Sequence, residues 1–256
     1  MTEPALVPPG GWLVLCSAAD ASAVWAYERL RARGRAPVGL LFVEALAGSA
    51  VRWEHRVGAG GAATVTLTTA EGLVVRGADL GAVLNRVASP PLAALTAAAD
   101  EDREYARNEL SAFAASWLRA LSATVVNAPD PHGLCGRWRR PLEWRALAAQ
   151  AGFACAPLTL ASADPDGVDR ADGDAGEPGA TLLAVDGRIL HPAVPAAAQQ
   201  ACARLTRRCG TRVLGVRFEG PDPAGRGWRV LGATPFPDLS FAGEAGVAAL
   251  EQALAA

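Results

Sequence analysis

The sequence predicts an α/β protein in which a doubly wound, mostly parallel sheet domain precedes a small α+β unit. Two observations carry this prediction. Over residues 1–160, short apolar runs without a polar face alternate with amphipathic helical segments, as in parallel sheets covered on both faces. Residues 161–180 are acidic and poor in large apolar side chains, so we expect a flexible linker there and a separate unit over residues 181–256.

A strand–helix–strand unit opens the chain. "GWLVLCS" predicts a central buried strand, because four successive apolar residues leave no polar face. "ASAVWAYERLRARG" predicts a helix capped by Asp20 or Ser22 and ended by Gly34, and "APVGLLFVEAL" predicts the second strand. The loop after the first strand contains no glycine, so the fingerprint of a dinucleotide-binding loop is absent.

The middle of the chain predicts a hairpin, a buried strand and a long helix. "ATVTLTTAEGLVVRG" alternates apolar and polar residues around a turn at Glu71 and Gly72. "LGAVLNRV" predicts the next strand. A long amphipathic helix is expected to begin near Asp100, with its acidic residues at the end where the helix dipole favours them.

The same alternation continues to the carboxyl end. "ATVVNAP" predicts a strand, and "RPLEWRALAAQAGF" a helix that begins near Pro141 and stops at Gly152. The last unit is expected to contain three strands and two helices, in the order "TLLAVDGRIL", "PAAAQQACARLTRRCG", "RVLGVRFEG", "GWRVLGATP" and "GEAGVAALEQALA". The final helix could cover its own sheet or a second copy of the chain, which leaves a homodimer open.

Composition excludes several function classes. The 256 residues are 51% hydrophobic and carry a net charge of -2, which gives no electrostatic reason for a nucleic-acid partner. No apolar run approaches the roughly 20 residues needed to cross a bilayer, and no secretory signal opens the chain, so we expect a cytoplasmic protein with no membrane association. All 24 basic residues are arginine, which excludes lysine as a phosphate ligand or general base.

Residues that bind metal or act as nucleophiles are not clustered. The five cysteines form no C-x-x-C pair, the three histidines lie in separate segments, and the acids between Asp164 and Glu177 lack the order of a calcium loop. Cys135 is the best candidate for a reactive thiol, because His132 and three arginines lie near it in sequence, but we expect it to be structural. We therefore predict no metal site.

The serial order of these segments resembles that of ATP-grasp ligases, particularly the branch with ribosomal-protein glutamate ligases and graspetide-forming peptide ligases. "VLNRV", "EYARNELSAFAASWLRAL", "VVNAPDPHGL" and "WRRPLEWRALAAQAGF" are similar to the amino-terminal half of these enzymes, and "DGRIL", "LGVRFEG" and "WRVLGATPFPDL" to their terminal segment. The resemblance implies a pre-ATP-grasp domain followed by a shortened remnant of the ATP-grasp domain.

Three departures from the family pattern concern the nucleotide site. The resemblance implies an Asp, a Glu and an Asn that hold Mg²⁺ at the ends of the last two strands, and the matching positions here are Arg217, Gly232 and Thr234. The long segment that would supply a phosphate-covering flap is replaced by the acidic linker. Only Arg139 or Arg140 lies near the position of the family's phosphate-contacting lysine.

Four polar residues of the first domain are further candidates for a binding site. Asn85 and Arg86 end a buried strand, where ligands collect in α/β sheets. Alternatively, Arg86 pairs with Glu109, whose charge lies on an otherwise apolar stripe of its helix. Asn127 resembles the "N-P" turn of the family but could equally cap the following loop.

We predict a non-catalytic ATP-grasp-like protein, a pseudoenzyme that acts as an accessory, recognition or regulatory subunit for a peptide or protein partner and needs no cofactor. The alternative is a divergent ligase that uses ATP and Mg²⁺ to join a carboxylate to an amine or hydroxyl. The arginine- and tryptophan-rich "RWRRPLEWR" suits an acidic peptide better than nucleic acid, because helical spacing turns half of it toward the core.

Overall fold

The computed structural model describes residues 5–47, 50–61, 63–91, 99–156, 180–219 and 228–256. These residues form two compact units, one comprising residues 1–137 and 238–256 and the other residues 138–237. Residues 161–179 of the predicted linker, including its acidic residues 164–177, lie outside the described residues. No helix in the described ranges is both long enough and apolar enough to cross a membrane.

The α-helices and strands of the described ranges begin with a strand–helix–strand unit. In chain order they are β1 (Gly11–Cys16), α1 (Ala21–Arg33), β2 (Val38–Phe42), β3 (Arg52–Val57), β4 (Ala63–Thr68), β5 (Val74–Arg76), β6 (Leu80–Arg86), α2 (Asp100–Ala120), β7 (Val125–Val126), α3 (Pro141–Gln150), β8 (Ala180–Val185), β9 (Arg188–Ile189), α4 (Ala196–Cys209), β10 (Val213–Phe218), β11 (Val230–Thr234) and α5 (Gly243–Ala255).

A parallel sheet forms the centre of the first unit. Its strand order is β2-β1-β6-β7, and each neighbouring pair is parallel. All six residues of β1 are buried, as its unbroken apolar run predicts. Asp20 caps α1 by accepting the N–H of Ala23, and Gly34 ends the helix with a positive φ, as predicted. The mixed α/β class is therefore confirmed.

The first unit also contains a three-stranded antiparallel sheet in the order β3-β4-β5. The predicted hairpin corresponds to β4 and β5, and Gly72 takes a positive φ in its turn. Strand β3 is not among the predicted elements. Trp53 of this strand packs against Phe113 and Trp117 of α2, with ring centroids 5.5 and 4.8 Å away, so α2 joins the core of the unit.

The second unit consists of an antiparallel sheet with helices α3 and α4. The strand order is β11-β10-β8-β9. Alternate residues of β10, including Leu214 and Phe218, pack with Leu205 of α4 and Trp144 of α3 in one apolar core. The remaining residues of β10 point to the other face of the sheet, and this face carries the candidate site.

The domain boundaries of 1–160 and 181–256 stay a prediction, and the compact units of the structure divide the chain differently. Helix α3 belongs to the second unit, because its apolar side packs with β11 and α4. Helix α5 belongs to the first unit, where Val247, Leu250 and Leu254 are buried and Glu251 forms ion pairs with two arginines at the end of α1. Its apolar side is thus covered within the chain.

Candidate ligand-binding site

The predicted site residues divide between the two units. Asn85, Arg86, Glu109 and Asn127 lie in the first unit, and Arg139, Arg140, Arg217 and Thr234 lie in the second. The two groups therefore form separate candidate sites, which are described in turn.

Arg86 is held by a carboxylate inside the first unit, and that carboxylate is not Glu109. Its Nε donates to Oδ2 of Asp20 at 2.8 Å, and Nη2 donates to Ser22 at 3.3 Å. The side chains of Arg86 and Asp20 are only 4% and 7% exposed. Glu109 is exposed on α2, so the expected Arg86–Glu109 pair is wrong. The loop after β1 carries Asp20 to the end of β6, because these strands are neighbours.

The pKa of Asp20 reflects this pairing. Burial by itself would raise the pKa of the carboxyl, but the hydrogen bond and positive charge of Arg86, together with Ser22 and the N–H of Ala23, hold the pKa below its ordinary value. Asp20 is thus a carboxylate at neutral pH, and it serves both the helix cap and the ion pair.

Asn85 and Asn127 are also used within the fold. The Asn85 amide donates to the main-chain oxygens of Asn127 and Leu134 at 2.8 and 2.6 Å, and its oxygen accepts the N–H of Val87 at 3.1 Å. Both asparagines are buried. Asn85 therefore connects β6 to the segment after β7. Its assignment as a ligand contact stays a prediction.

A pocket of about 290 Å³ lies in the second unit on the face of the sheet opposite α4. It contains three of the residues that the sequence singled out: Arg139, Arg217 and Thr234. The other lining residues are Pro141, Trp144, Thr181, Gly215, Leu231, Gly232 and Ala233. Arg140, the other arginine considered for this region, is exposed at the start of α3 and does not line the pocket.

Strand register explains why Arg217 and Thr234 meet there. Arg217 of β10 pairs with Gly232 of β11 and Thr181 of β8, and Gly215 pairs with Thr234. Residues two apart on a strand face the same side, so this part of the sheet presents an arginine, two threonines and two glycines. No carboxylate is among them.

The two glycines of the pocket have different surroundings. A Cβ atom at Gly215 would lie 2.9 Å from side-chain carbons of Pro237 and Thr234, so only glycine fits this floor without displacement. A Cβ atom at Gly232 would meet no atom within 4 Å. A Cβ atom at Gly232 therefore meets no steric obstacle.

Helix α3 supplies the wall of the pocket. The guanidinium carbon of Arg139 lies 5.1 Å from the ring centroid of Trp144, which is 3% exposed. Arg145, which is not among the predicted site residues, donates to the main-chain oxygens of Leu231 and Ala156 at 3.0 and 3.1 Å. These hydrogen bonds fix α3 against β11. Only the tertiary structure identifies this positioning role, because nothing in the sequence separates Arg145 from its neighbouring arginines.

The pocket does not suit a magnesium ion. Mg²⁺ binds oxygen ligands, among them one or two carboxylates, in near-octahedral geometry. The lining residues offer two guanidinium groups and two hydroxyls. Elsewhere in the described part of the chain, no three His, Cys, Asp or Glu side chains are grouped so as to hold a metal ion.

Cys135 does not have the environment of a nucleophile. Its side chain is buried, and burial raises the pKa of the thiol to about 11 despite the positive charge of Arg86. The thiolate fraction at neutral pH is therefore negligible. The interpretation of Cys135 as a structural residue agrees with this environment.

Comparison with known proteins gives matches in structure but none in sequence. No family model and no curated protein matches the sequence. Among solved structures, macrocyclase MdnC bound with precursor peptide MdnA from Microcystis aeruginosa MRC matches with a TM-score of 0.68 and 14% identity, over 93% of this chain and 98% of MdnC. Macrocyclase MdnB from the same organism gives 0.67 and 16%, over 96% and 98%.

A third matching structure is described as an ATP-grasp ligase. The ATP-grasp ligase PsnB, complexed with a phosphomimetic variant of minimal precursor, Mg and ADP, matches with a TM-score of 0.64 and 17% identity, over 99% of both chains. The chain has the ATP-grasp ligase fold. The resemblance stated from the order of the segments is confirmed. The expected loss of the phosphate-covering segment of ATP-grasp ligases stays a prediction, because residues 157–179 are outside the described structure.

Proposed function

We propose that this chain is a non-catalytic protein of ATP-grasp fold that recognises a peptide or protein partner as an accessory or regulatory subunit. The observation that carries the proposal is the absence of carboxylates from the pocket lining of the second unit, where Arg217, Gly232 and Thr234 occupy the positions of the metal ligands implied by the family resemblance. A site of this composition supplies neither the ligands nor the charge that a metal–nucleotide complex needs.

Among the three substituted positions, Arg217 has the largest electrostatic effect on the binding of a metal ion. At an effective dielectric constant of about 20, a guanidinium roughly 5 Å from a divalent cation is repelled by about 7 kcal/mol. An aspartate at the same position would be attracted by a similar amount. Replacing aspartate by arginine at this position therefore changes the interaction energy with the cation by many times the thermal energy.

The likeness to peptide-binding enzymes supports a peptide partner. MdnC was solved bound with precursor peptide MdnA, and PsnB with precursor peptide PsnA2 and AMPPNP. These proteins and the present chain share a fold, so we extend peptide recognition to this chain as a proposal. Catalysis is not extended, because it requires the nucleotide and metal that the pocket disfavours.

Nucleotide binding tests the proposal. Thermal unfolding of the full chain is measured with ATP at about 1 mM and excess Mg²⁺, with EDTA as the reference. A site with a Kd near 10 μM would add about 2.7 kcal/mol to the free energy of unfolding under these conditions. We expect no magnesium-dependent shift. A shift of that size would overturn the proposal and favour the alternative, a divergent ATP-dependent ligase that joins a carboxylate to an amine or hydroxyl.

A variant with restored ligands tests the stated cause. Arg217→Asp, Gly232→Glu and Thr234→Asn together place two carboxylates and an amide at the pocket, and a Cβ atom at Gly232 would meet no atom within 4 Å. We expect the triple variant to bind Mg²⁺ by calorimetry where the parent chain does not. Binding of Mg²⁺ by the parent chain at the same affinity would show that the three substitutions are not what excludes the metal.

A further inference from the structure

We propose that two copies of this chain associate through strand β3 (Arg52–Val57) of the first unit. The two β3 strands would lie antiparallel across a two-fold axis at His55, so that the antiparallel sheets of the two copies join into one, with three strands from each copy. This inference concerns assembly and goes beyond the proposed function.

The first argument is that β3 is an edge strand. It is the outermost strand in the order β3-β4-β5, and its ladder hydrogen bonds run to β4. Within the ranges that the structure describes, no other backbone group is hydrogen-bonded to it. Every second residue of an edge strand directs its N–H and C=O groups away from the sheet, so β3 presents backbone groups that a second strand can bind.

The second argument is the arrangement of side chains on the two faces of β3. Trp53 and His55 face α2, with ring centroids 5.5 and 6.2 Å from the phenylalanine ring of that helix. The opposite face carries Arg52, Glu54 and Arg56. Both arginines contact Oε1 of the glutamate, at 2.7 and 2.9 Å. This face therefore carries charges in the order positive, negative, positive.

The charges distinguish the possible registers. In an antiparallel pair related by a two-fold axis, the residue on the axis lies opposite its own copy. An axis at Glu54 would place two carboxylates face to face and Arg52 opposite Arg56, so each charged side chain would meet its own sign. An axis at Trp53 would place Arg52 opposite Glu54, but only residues 52–54 of β3 would then pair with each other.

The register with its axis at His55 pairs opposite charges over a longer stretch. All of β3 except its first residue is then paired, and Glu54 of each copy faces Arg56 of the other, so that two ion pairs form. On the face toward α2, Trp53 lies opposite Val57, which is 66% exposed in the single chain. Charges protect many edge strands against pairing, but here their order favours one register and opposes the adjacent one.

Sedimentation velocity of the full chain tests the inference, at protein concentrations from about 1 to about 300 μM, which span the dissociation constants of weak dimers. We expect the parent chain to dimerise in this range. Glu54→Arg and Arg56→Glu each place like charges opposite one another in both pairs, and we expect each to weaken dimerisation roughly tenfold or more.

Mixing these two variants tests the register itself. We expect the mixture to form a heterodimer, because each pair across the axis again combines an arginine with a glutamate. The double variant Glu54→Arg/Arg56→Glu should form a homodimer for the same reason. Failure of both to dimerise would overturn the proposed register.

The matched control is Arg52→Glu, which reverses the same charge on the same face of β3 but lies opposite Gly58 in this register. We expect it to change the affinity little. A parent chain that stays monomeric, a dimer that Glu54→Arg leaves intact, or equal losses in Arg52→Glu and Arg56→Glu would overturn the inference. Unchanged melting temperatures of the dilute variants show that they are folded. None of these failures touches the proposed function, which fails only on magnesium-dependent nucleotide binding.

Discussion

Replacing Asp20 by Asn should destabilise the first unit strongly. The substitution keeps an oxygen that can accept the N–H of Ala23 and cap α1, but it removes the negative charge opposite Arg86. Because both side chains are more than nine-tenths buried, the guanidinium would lose the charge of the carboxylate that its Nε contacts, in a region from which water is largely excluded.

The size of the effect follows from this burial. Removing one partner of a buried ion pair typically costs about 3–5 kcal/mol, whereas an exposed pair contributes roughly 1 kcal/mol or less. For a unit of roughly 150 residues, each kcal/mol lowers Tm by about 2–4 °C. We therefore expect Asp20→Asn to lower the Tm of the first unit by roughly 6–20 °C.

Urea unfolding and thermal melts of the full chain measure this loss. Glu109→Gln is the matched control, because it removes a carboxylate from the exposed side of α2 that the sequence had suggested as the partner of Arg86. A loss below about 1 kcal/mol for Asp20→Asn, the value of an exposed pair, would refute the reasoning. An equal loss for Glu109→Gln would do the same.

The pH dependence gives a second, independent readout. The pKa of Asp20 is lowered in the folded state, so its contribution to stability is present above the ordinary aspartate pKa of about 4 and is lost as the pH falls through the lowered value. We expect the difference in unfolding free energy between the parent chain and Asp20→Asn to be constant near neutral pH and to shrink below about pH 4.

Four further outcomes are expected. Gly215→Val should lower the free energy of unfolding by about 1–3 kcal/mol in urea titrations, because its Cβ would lie 2.9 Å from neighbouring carbons, while Gly232→Ala should change little. Burial raises the pKa of the Cys135 thiol to about 11, so iodoacetamide at pH 8 should label it only after denaturation. Glu251→Gln, which leaves two arginines without their buried carboxylate, should destabilise the first unit in thermal melts. Deletion of residues 243–256 should unfold the first unit, as measured by loss of its amide protection in hydrogen exchange.

The sequence predicts most elements of the fold because their apolar patterns are local. The unbroken run in β1 and the caps of α1 at Asp20 and Gly34 are examples. Strand β3 was missed, since "RWEHRV" carries four charged or polar residues and depends on the packing of Trp53 against α2. The placement of α5 also depends on tertiary packing, because the sequence of an amphipathic helix does not indicate which unit covers its apolar side.

The sequence predicts the composition of the pocket better than its geometry. Arg139, Arg217 and Thr234 were singled out through the family resemblance, and the structure brings them to one cavity. The hydrogen bond of Arg145 to Leu231 of β11 joins segments that are distant in sequence, and no local pattern specifies such a contact. The same reason explains why the partner of Arg86 was assigned to the wrong carboxylate.

The two arginine sites of this chain illustrate opposite solutions to the same electrostatic problem. Arg86 is buried and pairs with the carboxylate of Asp20 within the fold, so we do not expect an added anion to bind there. Arg217 is exposed, and the residues that line its pocket include no carboxylate. An anion that binds to Arg217 in the folded state alone would stabilise that state by linkage. We therefore expect phosphate to raise the Tm of the parent chain more than chloride at equal ionic strength, and the difference to vanish in Arg217→Gln.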